Sequence, residues 1–247
     1  MNKIVWVTGT SNGLGKALAS ELLQCGFDVL GFVRSSAPAT DLPANGFRYE
    51  QIVLDLSDLS ACRKFLREDP WADMIPWLVI HNASILPSRN PLWEEPWEDI
   101  ERAFAVNVEA PLLFSSHLMA RQIVSNPGGG HLFLSSGVGR RVRSGWGSYG
   151  ISKLCIEALS QTLASDLPEP FFAATLNPGK MRTKMRQFAY PLEDPGSLPS
   201  PSRIAFDIAR FVRYLSWTGG REFNGSVLEM EDIVKWTPSG RGHDGLV

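Results

Sequence analysis

A tyrosine and a lysine, Tyr149 and Lys153, stand four residues apart in the chain. On a helix their side chains would share one face, because residues at i and i+4 are neighbours on a helix surface. A phenol has a pKa of about 10, and a nearby cation favours its phenolate. The pair therefore suits proton transfer to or from a carbonyl or alcohol oxygen. The same spacing also arises by chance, and an exposed tyrosine beside a solvated lysine is the alternative.

A glycine-rich turn lies near the N-terminus, between an apolar strand candidate at 3–7 and a helix-forming stretch. Gly9, Gly13 and Gly15 give it the pattern G-x-x-x-G-x-G. Free backbone N–H groups, the helix dipole and missing Cβ atoms let such a turn bind a pyrophosphate. The alternative is an ordinary turn in which glycine only supplies a positive φ. The strand before and the helix after favour nucleotide binding.

Taken together, T-G-x-x-x-G-x-G and Y-x-x-x-K resemble the short-chain dehydrogenase/reductase family. The remaining landmarks of that family follow in order, and the resemblance spans residues 3 to about 230. They are Asp55-Leu56 after a strand candidate, His81-Asn82-Ala83-Ser84 in place of N-N-A-G, Asn107 in a helix, Ser135-Ser136 at a strand end, and Pro178-Gly179 with Thr183. His81 and Ser84 depart from the family pattern, so we expect this turn to keep its shape with a different hydrogen-bond pattern.

The resemblance implies a catalytic set of Asn107, Ser136, Tyr149 and Lys153. Ser136 is chosen over Ser135 because it lies at the end of the strand, thirteen residues before the tyrosine. Its hydroxyl would donate to the substrate oxygen, and Tyr149 would deliver or accept the proton. Lys153 would lower the phenol pKa and bind the nicotinamide ribose. Asn107 would hold a water that links the lysine to solvent.

The resemblance also implies a set of cofactor-binding residues drawn from several segments. They are Gly9, Ser11, Asn12, Gly13, Leu14, Gly15, Arg34, Asp55, Leu56, Asn82, Ala83, Tyr149, Lys153, Pro178, Gly179 and Thr183. NAD-specific members of the family carry an acid at the end of the second strand, whereas a basic residue accommodates the NADP 2′-phosphate. The strand at 27–33 ends without an acid and is followed by Arg34, which favours NADP(H) over NAD(H). Asn12 weakens that preference, because NADP-preferring members often have Arg or Lys there.

The substrate end of the site is less clearly marked. We expect Ile85, Val138, Arg143, Trp146 and Met181 to shape the pocket, and Trp146 indicates a flat or apolar substrate. The proline-rich stretch at 186–202, within a segment of about 180–202, is predicted to cover the substrate, with a plain surface loop as the alternative. Arg140, Arg141 and Arg143 would attract an anionic substrate or lie solvated. Gly145-Trp146 and Pro195-Gly196-Ser197-Leu198 resemble the sepiapterin-reductase/benzil-reductase branch, which reduces vicinal dicarbonyls or aryl ketones with NADPH.

Composition narrows the class of protein further. The chain has 247 residues, 44% of them hydrophobic, and a net charge of −2, which gives no reason to expect nucleic acid or an anionic membrane as a partner. Cys25, Cys62 and Cys155 fall in predicted helices without disulfide or metal-ligand spacing, so we expect reduced thiols and no metal. No stretch approaches the ~18 apolar residues of a membrane span, and the first strand starts at once. A cytoplasmic protein without a signal peptide is expected.

The order of elements predicts an α/β fold: a single-domain, Rossmann-type, doubly wound parallel sheet of about seven strands, with helices on both faces. Strands are predicted near 3–7, 27–33, 49–54, 77–80, 131–135, 171–176 and 226–230, and helices near 14–25, 58–67, 98–124, 147–166 and 203–216. The domain would cover 1–235, followed by a flexible tail at 236–247. The helices at 98–124 and 147–166 carry more apolar residues than one buried stripe needs, which predicts a homodimer or homotetramer. The alternative is that these residues only cover the sheet.

The function predicted from these observations is reduction of a ketone or vicinal dicarbonyl to an alcohol, with NADP(H) as the hydride donor and a small molecule as the partner. Two other classes stay open. An epimerase or dehydratase on the same scaffold would usually carry a larger C-terminal domain. A non-catalytic dinucleotide sensor would typically have lost the tyrosine or the lysine, and both are present.

Overall fold

The computed structural model describes residues 2–36, 46–68, 70–141 and 143–236. The strands are β1 (Ile4–Thr8), β2 (Asp28–Val33), β3 (Tyr49–Val53), β4 (Leu78–His81), β5 (Gly129–Leu134), β6 (Phe171–Asn177) and β7 (Val227–Glu229). The longer helices are α1 (Gly13–Gln24), α2 (Leu59–Glu68), α3 (Trp97–Phe104), α4 (Ala110–Ser125), α6 (Gly147–Asp166) and α8 (Pro201–Thr218). Short helices are α5 (Gly137–Arg140), α7 (Lys184–Ala189) and α9 (Met230–Val234).

The strands form one parallel sheet in the order β3-β2-β1-β4-β5-β6-β7. Val7 in β1 pairs with Gly31 on one side and with Ile80 on the other. The chain order therefore reverses between β1 and β4. In open α/β sheets, a crevice outside the carboxyl ends of the strands opens at such a reversal, and it is the usual place for a ligand. The sheet confirms the predicted fold class.

Alternation along the strands separates the two layers of the core. Val5 and Val7 pack with residues of α1 and α8 on one face, while Trp6 points to α2 and α4 on the other. On that second face Phe32 and Phe114 meet edge to face, with ring centroids 5.3 Å apart. Such a pair contributes about 0.5–1.5 kcal/mol beyond its burial. Both faces of the sheet are thus covered by helices, as the sequence pattern predicts.

Three differences from the predicted elements bear on the site. The helix predicted at 98–124 is interrupted by a π-helical turn at Ala105–Glu109. Within the segment of about 180–202 a short helix, α7, begins after Thr183, whose hydroxyl accepts a hydrogen bond from the Arg186 N–H. Trp236, assigned to the flexible tail, packs on Tyr214 with ring centroids 5.5 Å apart. The rest of the predicted tail, 237–247, lies outside the described residues.

The cysteines are free thiols, with Cys25 just beyond the end of α1 and the other two inside helices. Among the described residues, no helix is both long and apolar enough to cross a membrane. Within the same described ranges, no group of three or more His, Cys, Asp or Glu side chains is placed to hold a metal ion.

Candidate active site

The glycine-rich turn forms a close-fitting cradle at the carboxyl end of β1. Gly9 has φ +77° and Gly13 has φ +56°, a region that side chains rarely tolerate. A Cβ on Gly15 would overlap the carbonyl oxygen of Gly9 and the side chain of Asn82. Asn12 is the N-cap residue of α1, and within the described residues its side chain makes no capping hydrogen bond to the helix. The cradle therefore presents backbone N–H groups at a helix N-terminus, which suits a phosphate group.

The turn after β4 locks this cradle in place. The Asn82 side-chain nitrogen donates to the carbonyl oxygens of Thr8 at 2.8 Å and of Gly9 at 3.3 Å. The Ala83 N–H donates to the Thr8 hydroxyl at 2.9 Å. The retained Asn82-Ala83 pair thus holds the ends of β1 and β4 together.

His81 turns away from the cradle into the interior. Its ring stacks on Phe133 with centroids 4.4 Å apart, and its Nε2 lies 2.9 Å from Nδ1 of His131. The other nitrogen of His131 faces the side-chain oxygen of Gln122 at 2.8 Å. Burial lowers the pKa of His81 well below its usual value and that of His131 to about 3. Both rings are therefore neutral structural groups near neutral pH.

A cleft of about 410 Å³ runs from the cradle across the carboxyl ends of the strands. Every residue that the family resemblance assigns to the cofactor lines this cleft, from Gly9 to Thr183, although the residues are scattered along the chain. At one end Arg34 follows β2 and is exposed to solvent. Nearby, Asp55 accepts hydrogen bonds from the Ser57 N–H at 2.9 Å and hydroxyl at 2.7 Å. The Asp55 carboxylate thus stabilises the turn from Asp55 to Ser57. The position directly after β2 is occupied by Arg34.

At the other end of the cleft, α6 places Tyr149 and Lys153 on one face, as the spacing predicts. The Lys153 Nζ lies 5.6 Å from the centre of the tyrosine ring. It donates a hydrogen bond to the Leu134 carbonyl oxygen at 2.9 Å. The side chains of Ser136 and Ser84 make hydrogen bonds that favour the Tyr149 phenolate. Three hydroxyls and an ammonium therefore meet beside the cleft.

Burial dominates the protonation of this pair. It raises the pKa of Tyr149 to about 12, although the hydrogen bonds from Ser136 and then Ser84 act in the opposite direction. Burial also lowers the pKa of Lys153 to about 8. The expectation that the lysine lowers the phenol pKa is not met here, because desolvation disfavours both charged forms. Near neutral pH the tyrosine carries its proton and can donate it.

The two adjacent serines have different roles. The Ser135 hydroxyl donates to Glu157 at 2.8 Å, whereas Ser136 lines the cleft with Tyr149 and acts to lower the pKa of the phenol. Glu157 also accepts from Arg140, which reaches Glu229 with its other nitrogen at 2.6 Å. Arg140 is exposed to solvent, but its guanidinium is paired with two carboxylates and ties α6 to the end of β7.

Asn107 lies behind the cleft in the π-helical turn, with 1% of its surface exposed. Its side-chain oxygen accepts from the Ile85 N–H at 2.8 Å, and its nitrogen donates to the Ile85 carbonyl at 2.9 Å and to the Ser152 hydroxyl at 3.0 Å. These bonds fix the backbone that follows β4. The water-holding role that the family resemblance implies stays a prediction.

A buried carboxylate that sequence reasoning missed holds the start of α6. Glu95 accepts from the Ser148 N–H at 2.8 Å, from the Ser148 hydroxyl at 3.2 Å and from the Ser88 hydroxyl at 2.7 Å. Ser148 immediately precedes Tyr149, so the carboxylate anchors the turn that carries the phenol. No local signal marks Glu95, because its partner is 53 residues away.

The substrate end of the cleft is mostly apolar. Trp146 packs against Tyr149 with ring centroids 5.6 Å apart, and the Arg89 guanidinium covers the Trp146 ring at 4.1 Å. Of the predicted pocket residues, Ile85, Trp146 and Met181 line the cleft, and Val138 packs behind them in the Trp146 cluster. Arg143 is exposed and lies outside the lining, so that prediction is wrong. Leu86 and Met185, which sequence reasoning did not single out, complete the wall together with Ala189 of the predicted covering stretch at 186–202.

Comparison with known proteins supports the same class. A sequence profile of the family described as short chain dehydrogenase matches residues 3–193. The uncharacterized oxidoreductase YciK of Escherichia coli K12 is 31% identical over 215 residues, covering 82% of this chain and 83% of YciK. The chain therefore belongs to the short-chain dehydrogenase family.

Two further relatives carry a cofactor in their descriptions. An NADPH-dependent pterin aldehyde reductase of Arabidopsis thaliana is 27% identical over 186 residues, covering 74% of this chain and 76% of the relative. A solved structure of a short chain dehydrogenase from Escherichia coli CFT073, complexed with NADPH, aligns with a TM-score of 0.77 and 26% identity. That alignment covers 93% of this chain and 96% of the other. The chain is thus similar in sequence to an NADPH-dependent reductase and in fold to a protein whose structure contains NADPH.

Proposed function

We propose that the protein is an NADP(H)-dependent oxidoreductase that reduces a ketone or a vicinal dicarbonyl to an alcohol. The observation that carries the proposal is a protonated tyrosine at the end of a dinucleotide-sized cleft. Tyr149, Ser136, Ser84 and Lys153 all line this cleft, the two serine side chains act to lower the pKa of the phenol, and the Lys153 Nζ lies 5.6 Å from the centre of the tyrosine ring. A proton donor in that position is what reduction of a carbonyl requires.

The residues of the cleft fit a dinucleotide. The cradle of Gly9, Gly13 and Gly15 leaves room that a Cβ would fill, and the N-terminus of α1 faces it. Arg34 supports NADP(H) rather than NAD(H), because a guanidinium pairs with a phosphate while an acid would be needed for an unphosphorylated ribose. The NADPH-dependent relatives point to the same cofactor. When bound, the reduced nicotinamide supplies the hydride that the carbonyl carbon accepts.

The side chains of the chain supply the proton and hold the substrate oxygen. The Ser136 hydroxyl donates a hydrogen bond to the carbonyl oxygen and stabilises the negative charge that develops there. Tyr149 transfers its phenolic proton to that oxygen, which completes the alcohol and leaves a phenolate. The Lys153 ammonium is held by the Leu134 carbonyl beside the tyrosine ring, where it would bind the ribose of the nicotinamide. In the oxidation direction the same phenolate accepts the proton.

The apolar wall supports a substrate with apolar or aromatic groups next to the carbonyl. Trp146, Met181 and Met185 offer large, polarisable contact surfaces beside the phenol. The Arg89 guanidinium is held on the Trp146 ring and hydrogen bonds to the Gly145 carbonyl. These contacts keep the indole in place, so that it can stack on a flat substrate.

Assembly into a homodimer or homotetramer is part of the proposal. Several apolar residues of the helices predicted at 98–124 and 147–166, including Phe114, Leu118 and Ile156, are buried in the core of the chain itself and are not available for an interface. Others support the expectation: Leu112 on α4 is 49% exposed, and Ile151 and Leu154 on α6 are 42% and 53% exposed. Apolar side chains at these positions of α4 and α6 suit an interface with a second copy.

The experiment that tests the function is a spectrophotometric assay of NADPH oxidation with a panel of aromatic and aliphatic diketones and ketones. The account predicts turnover with NADPH that exceeds turnover with NADH. NADPH binding without turnover of any member of the panel would contradict it and would favour the non-catalytic sensor.

A further inference from the structure

The start of α7 lies against the glycine-rich cradle. Gly13 opens α1, and a Cβ built on it would come within 3.7 Å of the Thr183 side-chain methyl. Thr183 is the N-cap of α7, and its hydroxyl accepts from the Arg186 N–H at 3.1 Å. The first residue of that helix, Lys184, lines the same cleft as Gly13 and Thr183. The first turn of α7 therefore forms a wall of the cleft next to the cradle.

The cradle offers a phosphate group hydrogen-bond donors but no full positive charge. A helix N-terminus carries only about half an elementary charge, whereas the diphosphate of a dinucleotide is charged on each phosphate. Asn12, at the position where NADP-preferring members of the family often have Arg or Lys, is neutral. A cation from another segment would therefore complete the diphosphate site.

Five cationic side chains of the described residues line the cleft, and four of them have another place or partner. The five are Arg34, Arg102, Lys153, Lys184 and Arg186. Two nitrogens of Arg186 donate to the Glu193 carboxylate at 2.5 and 2.6 Å. Lys153 donates to a backbone carbonyl beside the tyrosine. Arg34 follows β2, where the 2′-phosphate is expected, and Arg102 lies on α3. Lys184 is thus the cation next to the cradle that is left to pair with a diphosphate.

We propose that Lys184 is a further cofactor-binding residue, whose ammonium pairs with the diphosphate of the dinucleotide from the α7 side of the cleft. Lys184 is exposed to solvent, and within the described ranges its ammonium has no carboxylate at ion-pair distance. Its flexible four-carbon stem lets a point charge follow the phosphates. Because α7 also carries Met185 and Ala189, this ion pair ties the apolar wall of the substrate end to the bound cofactor. The inference rests on the proposed function for the identity of the cofactor.

Two ligands without nicotinamide separate the diphosphate from the 2′-phosphate. 2′-Phospho-ADP-ribose contains both groups, whereas adenosine 2′-monophosphate contains only the phosphate that is expected at Arg34. Neither ligand can transfer a hydride, so their dissociation constants report binding alone. Calorimetric titration measures these constants, and fluorescence titration measures that of NADPH.

The test compares Lys184→Met, which removes the charge, with Lys184→Arg, which keeps it. Lys180→Met is the matched control, because Lys180 is an exposed lysine of the preceding loop that does not line the cleft. A hydrogen bond to a charged group is worth about a ten- to hundredfold factor, and an exposed ion pair at most about fivefold. At low ionic strength we therefore expect Lys184→Met to bind NADPH and 2′-phospho-ADP-ribose about tenfold more weakly. Its affinity for adenosine 2′-monophosphate should not change, and Lys184→Arg and Lys180→Met should bind all three ligands like the wild type.

The outcomes separate this inference from the proposed function. Unchanged NADPH affinity in Lys184→Met, or an equal loss in Lys180→Met, would overturn the role of Lys184. An equal loss of affinity for adenosine 2′-monophosphate would also overturn it, because Lys184 would then bind the 2′-phosphate. A wild type that binds NADPH but turns over no substrate would instead overturn the proposed function, and the titrations would still decide the role of Lys184. A wild type that does not bind NADPH would overturn both.

Discussion

Replacing Glu95 by alanine removes the carboxylate that anchors the start of α6. The variant leaves the Ser148 N–H in the first helical turn without its acceptor, and two serine hydroxyls lose a charged partner. Loss of a helix cap costs about 0.5–2 kcal/mol, and a hydrogen bond to a charged group contributes about 1.5–3 kcal/mol. Because both hydroxyls can rotate to other acceptors, we expect a net loss of about 2–4 kcal/mol. For a domain of this size the thermal midpoint should fall by about 4–16 °C.

The same change should slow the chemistry more than it weakens cofactor binding. Tyr149 follows Ser148 directly, and a small displacement of a reacting group can cost about a hundredfold in rate. We expect kcat to fall by about 10- to 100-fold, while the NADPH dissociation constant changes little because Glu95 does not line the cleft. Glu95→Gln keeps an acceptor for the Ser148 N–H and should recover part of the loss. Glu94→Ala removes an exposed neighbouring acid and is the matched control.

Gly147 provides a second, independent test of the Glu95 contact. A Cβ at Gly147 would overlap the Glu95 carboxylate, and the residue has a positive φ of 27°. Gly147→Ala should therefore be more destabilising in the wild type, where overlap and backbone strain both act, than in Glu95→Ala, where only the strain remains. Differential scanning calorimetry of the four proteins of this cycle measures the difference. If Gly147→Ala lowers the stability of the wild type and of Glu95→Ala by the same amount, Gly147 does not closely approach the Glu95 carboxylate.

Three further predictions follow from the cofactor cleft, the interior and the surface. Arg34→Asp should shift the ratio of NADPH to NADH affinities by about ten- to hundredfold toward NADH in fluorescence titrations, and an unmoved ratio would make Arg34 a surface residue only. Burial keeps His81 and His131 neutral when folded, whereas unfolded imidazoles gain a proton below a pH of about 6.5. The contribution of the two rings to the free energy of unfolding should therefore be constant above that pH. Below it, the contribution should fall by about 1.4 kcal/mol per pH unit for each ring. Urea unfolding at several pH values measures this slope, and His81→Asn should reduce it. Light scattering should give at least twice the 27.3 kDa chain mass, and the mass of a single chain would exclude the dimer.

The parts of the fold and site that sequence reasoning predicted depend on local patterns. The alternation of buried faces along β1 and the glycine spacing from Gly9 to Gly15 involve residues only a few positions apart. Both features can therefore be predicted from the sequence. The i, i+4 spacing of Tyr149 and Lys153 is equally local, and the structure places both on one helix face. The family resemblance supplied the order of the scattered segments that line the cleft.

The parts that were missed depend on contacts between distant segments. The contact between Glu95 and Ser148 joins residues 53 positions apart, and that between Arg140 and Glu229 joins residues 89 positions apart. No local sequence pattern predicts either contact. The phenol pKa was expected to fall because a cation is near, yet it rises because burial outweighs the opposing hydrogen bonding of Ser136 and Ser84. Burial at a given atom is a property of the whole fold, and spacing along the chain does not report it.

The assignment of Tyr149 as proton donor is tested most directly by Tyr149→Phe, which removes one oxygen and keeps the ring. The variant should bind NADPH with nearly wild-type affinity, measured by fluorescence titration, while carbonyl reduction falls by at least about 10²–10⁴-fold. That combination is the result the account predicts. Turnover close to that of the wild type, with NADPH still bound, would contradict it.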